Sequence, residues 1–177
     1  MKYALSFFLL MMSVSLSYGQ GLEEIRKRFH QAVLSQDSIS NYHKFIEKVD
    51  QTSPTIMAYQ AAGEAMMAQT LWNPLAKLSQ VNRYEKMILD AVDQEMDNLE
   101  IRFLRFAIEF HLPRILMMSK HLEEDRDFIV ANLWRCKEMN IDPEFERYIT
   151  YFMNETGMLL PEQITVIKQL LSEPKSD

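Results

Sequence analysis

Asn98-Leu99-Glu100-Ile101-Arg102-Phe103-Leu104-Arg105-Phe106-Ala107-Ile108-Glu109-Phe110-His111 is the stretch whose reading decides the fold. Ile101, Phe103, Leu104, Phe106, Ala107, Ile108 and Phe110 cover most of the circumference of a helix. Arg102, Arg105 and Glu109 form the polar stripe, at i, i+3 and i+7. A helix this apolar is central and has neighbours on several sides. Charges on it are costly unless each finds a partner, and an arginine fork suits a carboxylate.

The nearest unusual charge upstream is Glu64. It is the only formal charge in the stretch 54–71, which is rich in small residues: Ala58, Ala61, Ala62, Gly63, Ala65 and Ala68. Small faces let helices approach closely. Glu64, Arg102 and Arg105 therefore form the best candidate polar constellation. One reading pairs Glu64 with Arg102 or Arg105 across adjacent helices and fixes their register. The other lets the arginines line a groove for an anionic ligand or a peptide carboxylate.

Outward from these two helices the punctuation is regular. Ser53-Pro54, Asn73-Pro74 and Asp142-Pro143 each set a good N-cap residue before proline at the first helical position. Pro161 opens the last helix without such a cap, and Gly157 stands where a left-handed residue would end the helix before it. Leu22, Ile25, Phe29, Ala32 and Val33 mark an amphipathic helix. Ile39, Tyr42, Phe45, Ile46 and Val49 mark the next, capped by Asp37 or Ser38. The predicted helices are 22–35, 38–50, 54–71, 74–95, 98–111, a short 114–120, 121–139, 143–156 and 161–172. No period-two pattern competes with them. Connections of two to four residues make successive helices antiparallel hairpins. The expectation is one all-α domain over 20–177, of about eight helices.

The first nineteen residues read differently. Met1-Lys2 is a short positive start, Ala4 to Leu16 is apolar apart from serines, and Ser17-Tyr18-Gly19 offers small residues around a cut after Gly19. That is the layout of a cleaved secretory signal peptide. The apolar run is too short to span a bilayer. The only cysteine, Cys136, lies far from the cut, so a lipoprotein is not expected. Cys136 shares the apolar stripe Ile129, Leu133, Cys136 and is expected to be buried. The chain is thus expected to be exported, to the periplasm or outside the cell, with no transmembrane segment after cleavage.

The order Ala58-Tyr59…Ala62-Gly63, then Tyr84…Ile88…Ala91, then Glu95-Met96-Asp97-Asn98 resembles a diverged tetratricopeptide (TPR) repeat. The unit is lengthened by Trp72 to Leu78, Met96 stands where the family usually has proline, and about a quarter of the chain carries the match. The run from Tyr59 through Asn73-Pro74-Leu75-Ala76-Lys77 and Glu100 to Arg105 to Glu123-Glu124-Asp125 is also similar to an uncharacterised family of secreted, all-helical bacterial proteins of this size. The first resemblance implies hairpins stacked in a TPR-like array and protein or peptide binding. The second implies a helical fold and export, and no activity.

The chemistry of the chain is mostly exclusion. Asp plus Glu number 25 against 19 Lys plus Arg, for a net charge of -6, which disfavours binding to a phosphate backbone. Four scattered glycines supply no phosphate loop, and no nucleophile elbow is present. His30, His43, His111 and His121 lack the close spacing of a zinc site. His121, Glu124 and Asp125 fall at i, i+3 and i+4, which reads more simply as a solvated acidic first turn that complements the helix dipole. Trp72 and Trp134 are each flanked by core-like residues rather than set in a sugar-binding cleft. Arg26-Lys27-Arg28 beside Glu23-Glu24 reads as a solvated mixed-charge face, and Met66-Met67 and Met117-Met118 as core filling. No catalytic, cofactor or metal residues are assigned. The expected role is a non-catalytic module that binds a protein or peptide. The alternative is a small enzyme or a carrier of an anionic small ligand, with its pocket near Arg102 and Arg105.

Overall fold

The computed structural model describes residues 21–51, 53–112, 119–136 and 141–172. The signal-peptide stretch 1–19, Met117-Met118 and most of the short stretch 114–120 lie outside them. The fold is all-α, with eight helices and no strand among the described residues. These are α1 (21–34), α2 (Gln36–Ile46), α3 (Pro54–Thr70), α4 (Pro74–Gln94), α5 (Leu99–His111), α6 (Leu122–Asn132), α7 (Pro143–Glu155) and α8 (Pro161–Ser172). No helix among the described residues is long and apolar enough to cross a membrane. The chain divides into two compact units, one ending at Met87 and the other beginning at Ile88.

Helix starts follow the proline punctuation. Ser53 Oγ accepts from Ile56 N–H at 3.3 Å, Asn73 Oδ1 from Leu75 N–H at 2.9 Å, and Asp142 Oδ1 from Glu144 N–H at 3.0 Å. Each satisfies a donor that the first helical turn leaves free. Pro161 proves to have help from within its own helix: Gln163 Oε1 reaches back to Leu160 N–H at 2.9 Å, half of a capping box. Gly157 has φ +65, the left-handed conformation expected after α7.

Boundaries differ from the periodicity in three places, the first being α2, which ends at Ile46 rather than 50. Ser35 alone separates α1 from α2, with an extended backbone and no side-chain cap, so Asp37 and Ser38 lie inside the helix. α6 ends at Asn132 rather than 139. Leu133–Arg135 tighten into a 3-10 turn, and Trp134 Nε1–H donates to Ala131 O at 2.8 Å.

In the first unit α2 packs on α3. Phe29 of α1 meets Tyr42 and Tyr59 edge-to-face, with ring centroids 5.8 and 5.4 Å apart. Tyr42 donates its hydroxyl to Tyr59 O at 3.0 Å. Gln60 Nε2 donates to Ile46 O and Val49 O, which closes the end of α2. Gly63 makes the close approach possible, since a Cβ there would meet Ile46 Cγ2 at 3.1 Å and Tyr42 Cε1 at 3.5 Å.

In the second unit α5 packs on α6, and α8 packs on α6 and α7. Leu99, Phe103, Phe106, Ile129, Leu133, Cys136, Ile149, Met153 and Ile167 form its core. Phe103 is fully buried and meets Phe145, Tyr148 and Phe152 edge-to-face at 5.8, 5.8 and 5.5 Å. Burying such a side chain contributes roughly 1.5–3 kcal/mol. Cys136 is buried as expected, and burial, then the Glu146 charge, push its thiol up to about 12.

Candidate functional site

Arg102 and Arg105 lie one turn apart on α5, both buried. Asp125, in the first turn of α6, is entirely buried and faces them. Arg105 Nε donates to Asp125 Oδ2 at 2.6 Å and Arg105 Nη2 to Oδ1 at 2.7 Å. Arg102 Nε donates to the same Oδ1. Arg102 Nη2 turns outward to Glu124 Oε1 at 2.6 Å, and Nη1 lies 3.4 Å from Met96 O. The Arg102 guanidinium also covers the Phe128 ring, 4.6 Å from its centroid. Beside this cluster Glu109 receives His121 twice, from the backbone N–H at 2.9 Å and with Nδ1 at 2.7 Å.

Within the second unit, Asp125 and Glu124 supply carboxylates to these arginines, an acid pair that the expected constellation of Glu64, Arg102 and Arg105 did not include. Glu64 keeps its own company in the first unit, with His43 Nε2 3.5 Å from Oε1 and Arg83 Nη1 3.8 Å from Oε2. The physical reason is proximity along the fold, since α6 is the helix packed on α5. The solvated acidic turn is corrected: Glu124 is exposed, but Asp125 is not. His121, Glu124 and Asp125 do not converge as a metal site, because His121 binds Glu109 and Asp125 binds arginine. A signal for Asp125 existed in the stripe Leu122, Asp125, Ile129, Leu133, which sets it on the apolar face of α6.

Two further features escaped the sequence. His43 of α2 and Glu47, just past its end, lie one turn apart, with Nδ1 3.4 Å from Glu47 Oε2, and the close seat of Gly63 brings Glu64 Oε1 to within 3.5 Å of Nε2 of the same ring. Trp72, read as flanked by core-like residues, is 98% exposed. Leu75 and Leu78, i and i+3 on α4, are exposed at 77% and 44%. Trp134 is exposed as well. Arg28 matches its expected mixed-charge face, with Nε 2.6 Å from Glu24 Oε1. In comparisons with known proteins, the chain matches no family model, no curated protein and no solved structure.

Proposed function

We propose that the chain is an exported, non-catalytic, TPR-like helical module that binds a protein or peptide partner through the surface around Trp72, Leu75 and Leu78. The observation that carries this reading is the exposure of Trp72, in the α3–α4 connection, together with Leu75 at the start of α4. Single exposed apolar residues are ordinary. A solvated tryptophan in a helix connection, followed closely along the chain by two exposed leucines, is the kind of anchor that protein interfaces bury. Export rests on the signal-like first nineteen residues, and the repeat-like stacking on the residues from Ala58 to Asn98.

The alternative, an enzyme or anionic-ligand carrier near Arg102 and Arg105, is less favoured. Each nitrogen of the Arg102 guanidinium faces an oxygen of the chain itself, and Arg105 spends Nε and Nη2 on Asp125. A fork already engaged has little left to offer a ligand.

The test is affinity capture from the exported fraction of the source cells, with wild type and the Trp72→Ser, Leu75→Ser double variant side by side. A stoichiometric polypeptide held by wild type and lost by the variant is the expected result. Equal retention by both, or a blank from two folded proteins, overturns it.

A further inference from the structure

Three buried side-chain atoms among the described residues have no hydrogen-bond partner: His43 Nε2, Glu64 Oε2 and Gln80 Oε1. Two of them belong to one cluster. His43, Glu47 and Glu64 each offer a ligand atom, and these atoms all lie within 4.8 Å of one another. Glu64 is 8% exposed, on a helix with no other charge, and a carboxylate so placed demands compensation. The compensation in hand is loose. His43 Nε2 stands 3.5 Å from Glu64 Oε1, too far for a hydrogen bond, and Arg83 reaches Oε2 only at 3.8 Å, from a side chain that is 62% exposed.

We infer that His43 Nε2 and the Glu64 carboxylate form a binding site for a divalent transition cation, with Zn²⁺ the best-fitting ion. Zinc bonds of roughly 2.0–2.2 Å at a tetrahedral angle put neighbouring ligand atoms about 3.4 Å apart. The Nε2–Oε1 separation is 3.5 Å. Imidazole with carboxylate suits zinc better than it suits calcium or magnesium, which prefer all-oxygen sets. Glu47 lies beside the pair, with Oε2 3.4 Å from Nδ1 and a carboxylate oxygen within 4.8 Å of both other ligand atoms, near enough to join the coordination directly or through water. Water fills the remaining coordination positions. Arg83 is the competing cation: it balances Glu64 when the metal is absent and swings into solvent when the metal enters. Gly63 holds the site together, because it seats α3 against His43 and its neighbours on α2.

The experiment uses the chelator-treated full chain, titrated with Zn²⁺ alone. Bound zinc is counted after gel filtration, and the His43 imidazole resonances are followed by NMR. The expected result is one Zn²⁺ per chain, with shifts at His43 that single out Nε2. His43→Gln and Glu64→Gln each lose at least tenfold in affinity, and Glu47→Gln loses less. Arg83→Gln tightens binding at least threefold, an effect that a merely structural ion pair would not give. His121→Gln leaves binding unchanged. Circular dichroism confirms that each variant is folded. No retained zinc in the wild type, equal binding by folded His43→Gln, or weaker binding by Arg83→Gln overturns the site. Should the His43 and Glu64 variants fail to fold, the wild-type His43 resonances and the Arg83→Gln affinity decide the matter.

Discussion

Arg105 clasps Asp125 edge to edge, with Nε 2.6 Å from Oδ2 and Nη2 2.7 Å from Oδ1, and no part of Asp125 is exposed. The same carboxylate receives Arg102 Nε. One buried anion therefore serves two buried cations, and Glu124 adds a second negative charge at the rim, 3.6 Å from Arg105 Nη2. Burial works against the Arg105 charge. The hydrogen bond and charge of Asp125, with Glu124 and Glu109, outweigh it and hold the guanidinium more firmly protonated than usual. The cluster joins α5 to α6 and specifies which faces meet.

Asp125→Asn keeps the shape of the site and removes its central charge. Two buried guanidinium groups then lose the buried carboxylate they share, which should cost about 3–5 kcal/mol. Glu124→Gln should cost less than about 1 kcal/mol, because water already screens that carboxylate. Urea unfolding followed by circular dichroism compares the two. Equal losses would show that the buried carboxylate is not the centre of the cluster.

Gly63→Ala sets two effects against each other. Alanine improves helix propensity by about 1 kcal/mol. Its Cβ would lie 3.1 Å from Ile46 Cγ2, a branch with little rotamer freedom on a helix. Overpacking of this kind costs about 1–3 kcal/mol, so a lower melting temperature is expected. In an Ile46→Ala background the same change should stabilise, since the obstructing methyl is gone. A thermal double-mutant cycle measures the coupling, and additivity would show that the α2–α3 approach is not limited by this contact.

Tyr42 gives the alkaline limit of stability a specific cause. Burial raises its phenol well above the ordinary value near 10. Above that pH the unfolded chain loses the proton and the folded chain keeps it, so stability falls as pH rises, by up to about 1.4 kcal/mol per pH unit from this group. Tyr42→Phe loses the bond to Tyr59 O, about 1 kcal/mol at neutral pH. It also loses this slope, so the gap between wild type and variant should narrow above pH 10. A gap that stays constant in urea titrations from pH 8 to 11 would remove Tyr42 from the account.

What was legible in the sequence was local. Ser53, Asn73 and Asp142 cap helices by reaching two or three residues along the chain, and the prolines and Gly157 act within one turn. Such chemistry can be read without knowing the tertiary fold. Which acid meets Arg105 is a question of which helix packs on α5, and no local rule answers it. Asp125 was hidden in an acidic first turn that suited a helix dipole equally well. His43 and Glu64 are separated by a whole helix connection and meet only because Gly63 lets α3 settle on α2. The burial of Glu64 itself was legible, because it is the only charge in a helix of small residues.

Cys136 should behave as an inert core atom. With its thiol pushed up to about 12, only roughly one molecule in ten thousand carries a thiolate at pH 8. Native protein should react with a thiol-specific chromogenic disulfide only at its unfolding rate, and at once in denaturant. Prompt reaction of the native chain would place Cys136 outside the packing around Ile129 and Leu133.

Trp72 offers the most direct reading of the proposed interface, because its indole is almost wholly in water while Trp134 is partly covered and donates Nε1–H to Ala131 O. In a Trp134→Phe background, Trp72 is the sole emitter. Its fluorescence should resemble that of free tryptophan in water, and acrylamide should quench it at close to the free-indole rate. Leu75 and Leu78 are exposed on α4 just after Trp72 in the chain, and a partner that docks on all three desolvates the indole. Binding should therefore shift the emission to the blue and protect it from quencher, and Leu75→Ser should weaken both changes together. A blue-shifted, protected Trp72 in the isolated protein would mean that the chain already covers this surface itself, and that a partner must be sought elsewhere.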